Sequence, residues 1–150
     1  MAAEFDLPGT RDPTPFLVIA EVLDFRSRLG GEAAIRSYNH RLCWESAQFL
    51  ARHWDTPFTT PESMIGAMAV IPLPERFGST VTDAERLRRF LSEERQVEVP
   101  IFAVGGDREP DAEPDPYGAG GEPGLVVRIC AQIYNDTADI ERLAEAVDAA

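Results

Sequence analysis

At 150 residues the chain is long enough for one compact domain, which at this size buries roughly 68–70% of the surface it exposes when unfolded. Its formal charge of −12 argues against nucleic acid or an anionic membrane as partner, because phosphate contacts need positive charge. No apolar run approaches the ~20 residues that cross a membrane, and no basic segment leading into an apolar one opens the chain, so a cytoplasmic location is expected.

In chain order, residues 1–13 read as an N-terminal arm and Thr14-Pro15 as a helix start. Thr14 is the expected cap, and Pro15 sits in the first turn where its missing N–H costs nothing. The helix reaches Leu29, with Phe16, Leu17, Ile19, Ala20 and Leu23 covering more than one face, a pattern suited to packing on two bodies. Gly30-Gly31 supplies its left-handed exit. A second helix is predicted from about Glu32 to His53, apolar at Ile35, Tyr38, Leu42, Phe49 and Leu50. A strand follows over Met64–Ile71, ended by Pro72-Leu73-Pro74. Thr82-Asp83-Ala84-Glu85 reads as a capping box opening a helix to about Glu94, and Val97–Val104 as the next strand.

Residues 105–124 then hold six glycines, four prolines and six acidic residues, a composition too poor in apolar surface to offset the entropy of ordering. A mobile acidic loop is expected there, either functional or a tolerated insertion. The last strand starts at Leu125, Tyr134-Asn135-Asp136-Thr137 makes a turn, and an amphipathic helix repeats apolar residues at Ile140, Leu143, Ala144 and Val147. Asp136 or Thr137 can cap it. The pattern α-α-β-α-β-β-α predicts an α+β two-layer sandwich in one domain, 1–150, with about three mostly antiparallel strands and helices on one face.

Arg128 stands out in this last strand. Leu125, Val127, Ile129 and Ala131 alternate onto one face, and Val126, Arg128 and Cys130 onto the other, so the guanidinium is placed by the strand itself. Pattern alone makes it a salt-bridge partner or a sheet-end residue, but such an arginine can also hold a carboxylate through two parallel hydrogen bonds. The remaining polar candidates have plainer roles. His40 and His53 lie on the second helix without metal-ligand spacing and read as solvated or half-buried helix histidines. Cys43 and Cys130 are too few for a zinc site and read as reduced, buried thiols. Asp24 and Glu45 belong to solvated faces, Trp44 and Trp54 to packing, and Met64 and Met68, sharing one face of a strand, to the core.

The segment Val126-Val127-Arg128-Ile129-Cys130-Ala131-Gln132-Ile133-Tyr134-Asn135 resembles the C-terminal end of class V aminotransferases, the pyridoxal-phosphate (PLP) enzymes that include cysteine desulfurases and isopenicillin N epimerase-like proteins. Gly9-Thr10-Arg11-Asp12-Pro13 resembles a stretch of the epimerase-like branch. Gly30–Arg36, Thr60–Gly66 and Val97–Pro100 follow in the order that branch would have them, so the resemblance covers nearly the whole chain but only the family's small C-terminal domain. It implies that Arg128 descends from a substrate-carboxylate clamp. It also implies that Thr10, with Gly9 permitting close approach, donates to the PLP phosphate of a neighbouring subunit; taken alone, Thr10 is a turn residue in a frayed terminus. A desulfurase is disfavoured, since the loop over 105–124 lacks the family's persulfide-forming cysteine.

All fourteen basic residues are arginine, and the sequence holds no lysine. Family chemistry starts from a lysine amine on the cofactor aldehyde, so the chain is not expected to bind PLP covalently or to act alone. That lysine lies in the family's large domain, which is expected to be missing here. Two functions from different classes follow. In one, the chain is the C-terminal domain of a PLP-dependent aminotransferase or epimerase-like enzyme, completed by a lysine-bearing large domain or another copy and meeting its amino-acid substrate only in the completed site. In the other, it is a non-catalytic truncated remnant serving, if anything, as a protein-interaction module.

Overall fold

The computed structural model describes residues 12–105 and 122–150; Gly9, Thr10, Arg11 and most of the 105–124 loop lie outside the described residues. Its contacts group the chain into two compact units, one up to Ile35 and one from Arg36 to Ala150.

In the first unit the single helix expected from Thr14 to Leu29 is two, α1 (Thr14–Leu17) and α2 (Ile19–Arg28). They are parted at Val18, whose φ of −90° and ψ of 2° leave the helical basin. Hydrogen bonding passes across the break, from Val18 N–H to the Thr14 carbonyl at 3.1 Å and from Val22 N–H to the Val18 carbonyl at 2.9 Å. Thr14 is the first helical residue rather than the cap. Its N–H donates to the Asp12 carboxylate at 2.9 Å, because a side chain two residues upstream reaches an N–H that the threonine's own hydroxyl does not. Those bonds, from the Thr14 hydroxyl first and its N–H second, hold the Asp12 carboxyl below the usual carboxylate range. Gly30, at φ 102°, makes the left-handed exit. Phe16, Leu17 and Leu23 are 73%, 74% and 60% exposed.

Helix α3 (Gly31–Trp54) belongs to the second unit from Arg36 on, and is followed by β1 (Met68–Pro72), α4 (Val81–Arg95), β2 (Ile101–Val104), β3 (Gly124–Cys130) and α5 (Thr137–Asp148). The strands form one antiparallel sheet in the order β1-β3-β2. Val127 pairs with Ile71 on one side and Ile101 on the other, and all three are buried. With Ala69, Leu125 and Ile129 they meet Cys43, Ala47 and Leu50 of α3, Leu87 and Leu91 of α4, and Leu143 and Val147 of α5 in one core. Helices thus cover one face of the sheet, the expected α+β two-layer arrangement. Trp54 is buried and Trp44 packs on Phe58 at a ring separation of 5.8 Å, as packing residues should. Among the described residues no helix is long and apolar enough to cross a membrane.

Several boundaries differ from the sequence reading. The capping box of α4 is Thr80 with Asp83, two residues before the expected one. Gly78, at φ 89°, turns the chain so that the Asp83 carboxylate accepts from the N–H groups of both Ser79 and Thr80, at 3.2 and 3.1 Å. The strand expected from Met64 begins at Met68, after a 3-10 turn at Glu62–Met64. Met64 and Met68 are exposed rather than core: one lies on the turn, the other on the face of the sheet away from the helices. The second strand begins at Ile101 instead of Val97, since Gln96 leaves α4 in the left-handed region and Val97 N–H returns to the Leu91 carbonyl. Cys43 is buried but Cys130 is exposed, because it shares the open face with Arg128.

Candidate functional site

The alternation along β3 holds. Leu125, Val127 and Ile129 enter the core, while Arg128, half-buried, faces the other way, opposite Val70 of β1. Strand β2 stops pairing at Ile101, so the last part of β3 is open on that side except for a bond from Arg128 N–H to the Pro100 carbonyl at 3.1 Å. Pro100 has no N–H to return, which fits the place where a ladder ends. The Arg128 guanidinium carbon lies 5.9 Å from the centre of the Phe102 ring, within cation–π range.

Beside this open edge lies a cavity of about 300 Å³, at the lower end of small-molecule sites. Arg128 and Cys130 of β3 line one wall; Asn135, Asp139 and Arg142, at and after the turn into α5, line another; Ser46 of α3 contributes from the core side. Asp139 is committed to the helix start: its Oδ2 accepts from Asn135 Nδ2 at 3.0 Å and from Asp136 N–H at 3.3 Å. Asp136 is the cap, accepting from Ala138 N–H at 2.9 Å, which settles the choice between Asp136 and Thr137. Arg142 donates to the Arg95 carbonyl at 3.4 Å. The cavity therefore brings polar residues of β3, α3 and the turn into α5 together at one end of the sheet, while the Arg128 side chain leaves β3 on the face away from the helices, near the Phe102 ring.

The turn from Gln132 to Asp136 carries a network that local pattern reading misses. Tyr38 of α3 donates its hydroxyl to the Asn135 carbonyl at 2.7 Å, and Asn39 donates from Nδ2 to Gln132 Oε1 at 3.0 Å. Gln132 Oε1 also accepts from Ile133 N–H at 2.8 Å, and Gln132 N–H donates to Asn135 Oδ1 at 3.2 Å. One signal was available: Asn39 and Ser46, both buried, interrupt the apolar stripe of α3 at helical spacing.

Elsewhere the chemistry is plain. His53 Nε2 lies 2.6 Å from an Asp148 carboxylate oxygen, and His40 Nε2 lies 3.4 Å from the Glu62 carbonyl. Among the described residues no group of three or more histidine, cysteine or acidic side chains could hold a metal. Asp24 and Glu45 are exposed and pair along their own helices with Arg28 and Arg41. Burial first, and then the charge of Cys130, push the Cys43 thiol up to about 11, so it is inert at neutral pH.

The chain is an α+β sandwich with a cavity at the end of its central strand, and its relatives place it in a family. No family model matches it. A protein of Arabidopsis thaliana described as a probable chloroplastic L-cysteine desulfhydrase is 35% identical over 151 residues, 99% of this chain. An L-cysteine desulfhydrase of the same plant is 36% identical over 145 residues, and the isopenicillin N epimerase of Streptomyces clavuligerus is 34% identical over 143. These alignments take in 93% and 94% of this chain, and the chain spans only about 30% of each relative's length. The chain belongs to the class V PLP-enzyme family, in the branch of these epimerases and desulfhydrases, and corresponds to its small C-terminal domain.

PLP is the cofactor of that family. The residues here fit it only in part. Arg128 is present where the family resemblance puts a carboxylate arginine, while a sequence without lysine has no side-chain amine for the cofactor aldehyde.

Proposed function

We propose that this domain serves a PLP-dependent enzyme acting on an amino acid, desulfhydrase-like or epimerase-like, by holding the substrate's carboxylate on Arg128. Thr10, with Gly9 beside it, contacts the cofactor phosphate. A large domain bearing a lysine completes the site. The observation that carries this reading is the placement of Arg128: an arginine set by strand alternation near the end of the central strand, beside a cavity of about 300 Å³ that Asn135 also lines. A two-pronged guanidinium there holds a carboxylate in one plane and leaves the amino group and side chain to face the rest of the site.

The exposed apolar residues of α1 and α2 favour a second reading, in which the chain is a non-catalytic interaction module. One experiment separates the two. The chain is co-expressed with a lysine-bearing large domain from an L-cysteine desulfhydrase, and turnover and binding of L-cysteine are measured. Arg128→Lys keeps the charge but loses the fork, so substrate binding should weaken by roughly 1.5–3 kcal/mol with PLP affinity little changed. Thr10→Ala should do the reverse. If the pair assembles without activity, or both variants leave amino-acid and PLP binding untouched, the interaction module is the better account.

A further inference from the structure

The two walls of the Arg128 cavity are joined through a single turn. Arg128 and Cys130 stand on β3, Asn135 and Asp139 on the segment that opens α5, and the residues between them set how far apart the walls lie. That turn is fastened to α3 by the bonds from Tyr38 and Asn39 already described. Asn39 itself does not line the cavity. Its side chain is buried, with the residue 7% exposed, and only its Nδ2 is used: the Oδ1 atom is buried with no hydrogen-bond partner. An asparagine held with half its amide unsatisfied, inside an apolar helix stripe, is a poor choice for core packing alone, and such groups call for another explanation.

We propose that Asn39 is a positioning residue for the carboxylate site, acting through Gln132 to fix the turn that carries Asn135 into the cavity beside Arg128. The relay has three steps. Asn39 Nδ2 pins Gln132 Oε1; Gln132, so pinned, receives Ile133 N–H on the same oxygen and gives its own N–H to Asn135 Oδ1. Asn135 then has its amide oxygen oriented from one side and its Nδ2 from the other, by Asp139. Tyr38 holds the same residue by its backbone carbonyl, and the Asn135 N–H donates to the Gln132 carbonyl at 2.8 Å, so Asn135 is restrained at four atoms before a ligand arrives. Preorganisation of this kind lowers the ordering cost of binding. A leucine at position 39 would fill similar space in the stripe and release Gln132.

This inference rests on the carboxylate reading of Arg128, and the test keeps the two apart. In the full 150-residue chain, amide hydrogen exchange is compared between wild type and Asn39→Leu. Faster exchange confined to Gln132, Ile133 and Asn135, with α3 and the β1-β3 ladder unchanged, is expected; an unchanged turn overturns the relay. In the co-expressed pair, Asn39→Leu should raise KM for L-cysteine about tenfold with kcat nearly constant, the signature of lost positioning in binding. Gln132→Leu breaks the same bond from the other side and keeps the test open should Asn39→Leu fail to fold. The two changes together should cost no more than either alone, whereas independent structural defects would multiply. A normal KM in both variants while Arg128→Lys raises it overturns the role of Asn39 and leaves the carboxylate site standing. A normal KM in Arg128→Lys overturns the site itself.

Discussion

Gly78→Ala should be among the most damaging small substitutions in the second unit, although it adds a single methyl group. Two costs combine. Gly78 sits at φ 89° and ψ −163°, a region almost closed to residues with a Cβ, and forcing alanine into it costs about 1–3 kcal/mol. The new Cβ would also overlap the Asp83 carboxylate, which accepts from Ser79 N–H, Thr80 N–H and, at 2.7 Å, the Thr80 hydroxyl. Moving Asp83 aside undoes half of the capping box of α4, and a lost cap costs about 0.5–2 kcal/mol. Together the loss is roughly 2–4 kcal/mol, which would lower the unfolding temperature of a domain this size by about 10 °C or more. Gly66→Ala is the control, because Gly66 lacks the positive φ and has open space where a Cβ would go. Urea and thermal unfolding of the three proteins measure the difference. Acid adds a second arm. The Thr80 and Ser79 hydrogen bonds, with Arg86 nearby, hold the Asp83 carboxyl below its ordinary value, so its contribution is present above that value and lost as pH falls through the depressed one. The gap between wild type and Gly78→Ala should therefore narrow on acidification from about pH 5. If Gly78→Ala costs no more than Gly66→Ala at neutral pH, the account of this turn is wrong.

Other outcomes follow from the same coordinates and composition. At pH 8 a thiol reagent should modify Cys130 quickly and Cys43 only on unfolding, since one is exposed and the other is buried with its thiol pushed up to about 11; two equivalents reacting together in native buffer would contradict this. Titration with PLP followed by borohydride should leave no stoichiometric side-chain adduct, because the sequence holds no lysine; a unique internal adduct located by peptide mapping would sink the argument. The isolated chain should self-associate through the exposed apolar residues of α1 and α2, and Leu17→Glu with Leu23→Glu should weaken that association; sedimentation of the unaltered chain as a clean monomer that binds no hydrophobic dye would refute it.

What the sequence revealed was whatever depended on period and on strong local punctuation. The β3 alternation placed Arg128 opposite the core, and Gly30 marked a helix exit, because each follows from the geometry of a few adjacent residues. Competing local signals were harder. Thr80 and Thr82 each begin a plausible capping box, and the choice belongs to the Gly78 turn, which brings Asp83 back to two N–H groups. Met68 was assigned to the right strand but the wrong side, since alternation says which residues share a face and not which face is covered, and Met64 falls on the turn before that strand. The turn network was out of reach for a different reason: Tyr38 and Asn135 are 97 positions apart, and nothing local pairs them. Thr10 and Gly9 lie outside the described residues, and only the resemblance speaks for their role.

Strand β3 is last of the three in the chain and central in the sheet, so β1 and β2 never touch each other and each waits for residues 124–130. A ribosome releasing this polypeptide therefore exposes two orphan edge strands until β3 emerges between them. Sheet formation is a late, long-range event, and folding of this unit should be correspondingly slow. The same seven residues both close the sheet and carry the arginine, so a chain that has not placed Arg128 has not yet folded its sheet.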